Sequence, residues 1–292
     1  MHTKQKIEQL LASAGTSPNK RRGQNFLIDL NLMGMLIHTS GINETDLVLE
    51  VGSGTGSMTE ELAASSGRVI TVEIDTTLAG IVQSQTSSFE NLTVINDDIL
   101  ENKNTISSRV TGLIKSEREK FSRFILIANL PYSVACPVMI NLINGAVPAD
   151  EMYVTVQKEV AERMTAAAGS GHYGTLSILT AACGKAKILK TLKASVFWPR
   201  PQVDSAMVSF IRDEEAVKRI HSMDIFSETV SLFMQHRRKM IKACTRFAQG
   251  KLEKIKNWNC IFEESFIDSH KRPEELSPQE YISIANSCSE MI

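Results

Sequence analysis

The chain has 292 residues, 42% of them apolar and 22% charged, with a formal net charge of −1; this excludes a disordered chain and a uniformly basic nucleic-acid binder, and the length suits one large domain plus a smaller one. The opening MHTKQKIEQL is polar, and no run approaches the roughly 18 apolar residues of a membrane span, so a soluble, intracellular protein is expected, cytoplasmic and away from membranes. Five cysteines, far apart and never spaced Cys-x-x-Cys, argue against a disulfide framework and a zinc site, and no metal is expected.

From residue 46 the pattern alternates. DLVLEVG reads as a buried strand, SMTEELAASS as a helix, RVITVEID as a strand, TLAGIVQSQ as a helix and NLTVIND as a strand. A polar segment follows over about 101–122, then the strand RFILIAN, the helix ACPVMINLING and the strand EMYVTVQ. Short apolar runs separated by helices predict a parallel sheet covered on both faces, a doubly wound α/β domain. After about residue 212 no strand-like run occurs, and Ile225, Val230, Phe233, Met234 and Met240 recur at roughly helical spacing. Near the end, Ser277, Pro278 and Glu280 form an N-cap, a first-turn proline and a capping-box partner. The sequence therefore predicts an α/β domain over 1–212 and a smaller all-helical domain over 213–292.

Chemistry enters between the first strand and helix, where LEVGSGTGSMTEEL places Gly52, Gly54 and Gly56. Glycines there permit a tight turn and let a ligand lie against bare backbone beside a helix N-terminus. The motif alone serves a dinucleotide, a methyl donor or a packing turn, but Ser57 stands where the dinucleotide fingerprint has its third glycine. Glu73, 21 residues after Gly52 at the tip of the second strand, is placed to accept both hydroxyls of a ribose. Asp75, just beyond it, reads as a helix cap. In NDDIL at the third strand tip, Asp98 rather than Asp97 is the candidate acceptor for an adenine amine, with a cap or solvated role as the alternative for either.

NLPY, residues 129–132, falls at the carboxyl edge of the fourth strand, where open α/β sheets bind ligands. An exocyclic amine on a base is nearly planar, because its lone pair is conjugated with the ring. Two acceptors, the Asn129 side-chain oxygen and the Leu130 carbonyl, would take its two hydrogens and favour a pyramidal, nucleophilic nitrogen. Pro131 fixes the backbone that aims the carbonyl, and Tyr132 offers a stacking face. An ordinary proline turn over a buried tyrosine is the competing reading of this tetrapeptide.

Charge is distributed unevenly. Residues 20–22 read KRR, residues 185–200 hold five cations and no acid, and residues 236–256 hold eight cations against one glutamate. Taken singly, each run reads as a solvated face.

Taken in order, RRGQNFLID, LEVGSGTGSMTEEL, VEID, NDDIL, NLPYSVACPVM, QKEVAERM, YGTLSIL, FWPRPQVDSAMVSF, RRKMIKA and RPEELSPQEYISIA resemble the small-subunit rRNA adenine N6-dimethyltransferases of the KsgA type, from about residue 20 to residue 287. The resemblance implies a Rossmann-like class I methyltransferase domain with a helical C-terminal domain, and S-adenosylmethionine as methyl donor. As acceptors it implies two adjacent adenosines near the 3′ end of small-subunit rRNA, each methylated twice. Carried over residue by residue, the donor site is Asn25, Leu27, Gly52, Gly54, Glu73, Asp98 and Asn129. The acceptor site is Asn129, Leu130, Pro131, Tyr132 and Phe197, with Phe197 sandwiching the flipped adenine opposite Tyr132. Arg21, Arg22, Arg237, Arg238, Lys239 and Lys242 are candidate phosphate contacts on the ribosomal subunit. A monomer is the default. Two departures stand out: Ser133 and Cys136 occupy positions where relatives are expected to carry Asn and Thr, and the overall charge is low for an RNA enzyme, so affinity must rest on local patches.

Overall fold

The computed structural model describes residues 1–19 and 23–292; Arg21 and Arg22 lie outside the described residues. The chain divides into two compact units, Met1–Ala161 with Lys187–Ile211, and Glu162–Ala186 with Arg212–Ile292. In chain order the elements are α1 Lys4–Ser13, β1 Phe26–Leu27, α2 Leu30–Ser40, β2 Asp46–Val51, α3 Ser57–Ser65, β3 Arg68–Glu73, α4 Thr76–Gln85, β4 Leu92–Asn96, β5 Leu100–Asn102, β6 Thr105–Ile106, α5 Ser108–Arg118, β7 Arg123–Asn129, α6 Ala135–Asn144 and β8 Glu151–Gln157. Then come α7 Lys158–Met164, α8 Thr175–Cys183, β9 Gly184–Leu192, β10 Phe197–Trp198, β11 Ser205–Arg212, α9 Glu214–Val217, α10 Met223–Gln235, α11 Ile241–Cys244, α12 Trp258–Glu264 and α13 Pro278–Glu290.

Seven strands form one sheet in the order β4-β3-β2-β7-β8-β11-β9. The first five run parallel, as expected for helix-separated strands. Every residue of β2 is buried, which requires cover on both faces. Val48, Val69, Ile125 and Ile127 pack on one side against α2 and α3 through Leu32, Leu36, Met58 and Leu62. The sheet is Rossmann-like but mixed, not purely parallel: β11 pairs antiparallel with β8, from Ser205 opposite Gln157 to Ile211 opposite Glu151. The edge strand β9 exposes Lys185, Lys187 and Lys190, charges that discourage further strand pairing.

The amino and carboxyl edges of the sheet differ in chemistry. At the amino edge Arg123 bridges Asp46, fully buried, at 2.6 Å and Glu151 at 2.9 Å. The carboxyl edge carries the glycine turn, Glu73, the β4 tip and Asn129.

Two sequence expectations need correction. The segment over 101–122 contains a β5–β6 hairpin and α5, whose inward face is only Val110 and Ile114, too sparse to stand out as a period. A domain boundary at residue 213 is too simple, because residues 162–186 fold with the C-terminal helices. There α8 is buried along nearly its whole length and packs against α10 and α13, and the Tyr173 hydroxyl donates to the Leu276 carbonyl at 2.8 Å. In that unit α13 begins with the expected capping box: Ser277 Oγ accepts from the Glu280 N–H at 3.2 Å and Glu280 Oε2 from the Ser277 N–H at 2.7 Å. Among the described residues no helix is long and apolar enough to cross a membrane.

Candidate active site

The turns at the carboxyl ends of β2, β3, β4 and β7 surround a cavity of about 230 Å³. Asn25, Leu27, Gly52, Gly54, Glu73, Asp98, Asn129, Leu130, Pro131 and Tyr132 all line it.

Gly52 and Gly54 adopt φ of +80° and +58°, and a Cβ at either would meet something solid. At Gly52 it would stand 2.9 Å from Pro131 Cγ, and at Gly54 2.9 Å from the Phe26 ring. The glycine turn is thus pressed against NLPY on one side and against β1 on the other. Glu73, 5% exposed, accepts the Gly54 N–H on one oxygen at 2.9 Å and the Asp75 N–H on the other, also at 2.9 Å. Its carboxylate is therefore held in place at the cavity wall. Asp75 caps α4, accepting from the N–H groups of Thr77 and Leu78, as its position in the sequence implies. Asp98 is exposed at the rim, where its carboxylate accepts the Leu100 N–H at 2.9 Å.

Asn129 joins two parts of the wall. Its amide nitrogen donates to the Asn25 carbonyl at 2.9 Å, and its amide oxygen accepts the Thr155 hydroxyl. A carbonyl can only accept, so the orientation of this amide is fixed. Thr155, 1% exposed and opposite Asn129 in the β7–β8 register, also accepts the Leu130 N–H on its carbonyl at 3.1 Å. The Tyr132 hydroxyl hydrogen-bonds Ser205 Oγ at 2.7 Å, which holds the ring, and burial pushes the phenol above its ordinary pKa.

Phe197 is not brought to the cavity. It pairs with Leu27 across the short β1–β10 ladder and is 3% exposed, packed in the cluster behind the wall with Leu27, Met33 and Met58. An apolar ring next to a large buried cluster is drawn into it, so in this geometry it offers no face opposite Tyr132. In the helical unit Arg237 is engaged by Glu274 at 2.8 Å, whereas Arg238, Lys239 and Lys242 have no carboxylate within ion-pair distance among the described residues.

Three site residues escaped the sequence reading. Thr155 and Ser205 are single hydroxyls in strand-like stretches. Glu50 sits in mid-strand between Leu49 and Val51, 2% exposed, and lines the cavity. Burial pushes its carboxyl up to about 7, opposed by the hydroxyls of Thr59 and Thr71, which donate to it at 2.6 and 2.8 Å. An acid flanked by Leu49 and Val51 in mid-strand was the available signal.

The cavity fits the donor that the sequence resemblance implies. Bare backbone at Gly52 and Gly54 leaves room for a flat ligand, Glu73 and Asp98 stand at strand tips, and the Ser53 hydroxyl is buried in the wall with no hydrogen-bond partner among the described residues. Such an orphaned hydroxyl costs about 1–3 kcal/mol, which a polar ligand group relieves. Among the described residues no cluster of three or more His, Cys, Asp or Glu side chains is placed to hold a metal ion.

The family profile described as ribosomal RNA adenine dimethylase matches residues 15–290. The ribosomal RNA small subunit methyltransferase A of Staphylococcus carnosus is 35% identical over 272 residues, 92% of this chain and 89% of that protein. Among solved structures, a dimethyladenosine transferase from Plasmodium falciparum superposes with a TM-score of 0.67 at 23% identity, over 87% of this chain and 94% of the other. The 23S rRNA methyltransferase ErmE superposes with a TM-score of 0.60 at 19% identity, over 90% and 99%. At those identities the two structures speak to the fold alone. The family match spans nearly the whole chain and takes in the glycine turn, Glu73, Asp98 and NLPY: the chain belongs to the ribosomal RNA adenine dimethylase family.

Proposed function

We propose that this chain transfers methyl groups from S-adenosylmethionine to N6 of two adjacent adenosines near the 3′ end of small-subunit rRNA, two to each, during assembly of the small ribosomal subunit in the cytoplasm. It acts as a monomer on that particle. The observation that supports the reading is the double engagement of Asn129, whose amide ties the backbone at Asn25 to Thr155 of β8 at the NLPY wall.

S-adenosylmethionine, when bound, supplies a methyl group on positively charged sulfur. Gly52, Gly54, Glu73 and Asp98 hold the nucleoside part of the donor, and Ser53 offers its hydroxyl to a polar group. On the acceptor side, Asn129 Oδ1 and the Leu130 carbonyl take the two hydrogens of the adenine amine, while Tyr132, anchored by Ser205, covers the base. Stacking rests on Tyr132 in this arrangement, with Phe197 backing the wall. The leaving group is neutral and the amine sheds its proton after attack, so the site needs no dedicated base. Its contribution is alignment, which supplies several kcal/mol.

The test incubates the purified chain with methyl-labelled donor and small subunits lacking the modification, then maps the methylated adenines. Label on two neighbouring adenines of the small-subunit rRNA is expected, and Asn129→Ala should abolish it while the variant still binds the particle. No label, or label confined to large-subunit rRNA, would overturn the proposal.

A further inference from the structure

Phe247 ends the short turn of helix Thr245–Phe247 after α11 and is 42% exposed. Its ring is stacked on His236, the C-cap of α10, with centroids 4.0 Å apart and planes 25° from parallel, and the Lys239 ammonium lies over it at 5.7 Å. An exposed phenylalanine is ordinary by itself. Its surroundings are not. Of the eight cations in residues 236–256, only Arg237, with Glu274, and Lys251, with Asp224, have a carboxylate within ion-pair distance among the described residues. Arg238, Lys239, Lys242 and Arg246, which flank the aromatic pair in sequence, have none.

An apolar protein surface docked here would strip water from those charges without pairing them, which is costly. An acidic peptide would pair them but make no use of a flat, half-exposed ring. Single-stranded RNA satisfies both, because phosphates meet the cations and an unstacked base has a face to lay on an aromatic platform. We propose that the His236–Phe247 pair is a stacking platform for one unpaired base of the substrate rRNA, separate from the base to be methylated, with Arg238, Lys239, Lys242 and Arg246 on the flanking phosphates. This rests on the rRNA reading above.

The full chain and its Phe247→Ala, Phe247→Leu and Phe247→Trp variants are titrated with small subunits lacking the modification, at several salt concentrations, with donor affinity and melting temperature as controls on folding. Leucine keeps apolar bulk but not the aromatic face. Both Ala and Leu should therefore weaken particle binding roughly tenfold while Trp preserves it. Neither change should alter the salt slope, whereas Lys242→Gln should reduce it by about one. Wild-type affinity in Phe247→Leu would reassign the ring to apolar packing and overturn the platform, as would wild-type affinity in Phe247→Ala. Wild-type chain that methylates no small subunit overturns the rRNA reading itself, a result distinct from active variants with unchanged binding.

Discussion

The Asn129 amide cannot turn, which on the proposed reading lets it face both donor and acceptor. Asn25 offers it only an acceptor, so the amide oxygen faces Thr155 and the cavity. Thr155→Val removes the hydroxyl that holds this oxygen at nearly constant volume. Single-turnover methylation should slow about five- to tenfold, the worth of one hydrogen bond, with donor affinity unchanged and Thr155→Ser restoring the rate. A rate equal to wild type would remove Thr155 from the site. Glu50 makes a different prediction. Its carboxyl lies near 7 in the folded chain against an ordinary value of 4.5, so the folded state binds this proton more tightly than the unfolded state. The associated stability is fully present below about pH 4.5 and is lost as pH rises through 7, by about 3 kcal/mol. Denaturant titrations at acidic and neutral pH should show that decline in wild type and its absence in Glu50→Gln. The residues that sequence revealed are those whose type is unusual where it stands, such as Gly52, Glu73 and NLPY. Thr155 and Ser205 were hidden because a hydroxyl in a strand is common, and only pairing register gives it a role.

In the central parallel strands the two ends differ: ion pairs hold the amino edge, and the cavity opens at the carboxyl edge. At the amino edge, Arg123 spans β2 and β8 from β7, meeting Asp46 on two oxygens at 3.0 and 2.6 Å and Glu151 at 2.9 Å. Both partners hold its guanidinium charged, and the fully buried Asp46 carboxylate is met by that guanidinium and by the Asn43 N–H at 2.9 Å. Arg123→Ala should lower stability by about 3 kcal/mol, read by denaturant melts, while donor affinity in the opposite edge stays within about twofold. The strands were legible because buried β-branched runs bounded by turns have few other readings, and α4 and α13 because their caps are explicit. What could not be read was an antiparallel partner, since β11 looks like any apolar strand and its direction is set by the chain between it and β8. Nor could α5, with two inward residues, or the membership of α8, which is apolar on all sides and could belong to either core.

For the molecule as a whole, a net charge of −1 conceals a basic segment, and affinity for RNA depends on which of those cations are free. Arg237 is occupied by Glu274, whereas Arg238 has no carboxylate within ion-pair distance among the described residues. Charge reversal at Arg238 should therefore weaken particle binding more than reversal at Arg237, with a shallower salt slope and unchanged donor binding, as measured by titration over a range of salt. Equal losses at both positions would mean that the Glu274 pair opens on binding. The sequence located the basic run but not this distinction, because the acid that quenches Arg237 comes from 37 residues away.

The contact between Gly52 and Pro131 limits how such a site can be redesigned. An added methyl group at residue 52 would collide with Pro131 Cγ, so any side chain placed there to reshape the pocket would also shift the Leu130–Pro131 backbone. On the proposed reading, a change at residue 52 would alter donor and acceptor selectivity together, and variants chosen there for a new donor should need compensating changes at Pro131 before they modify RNA well.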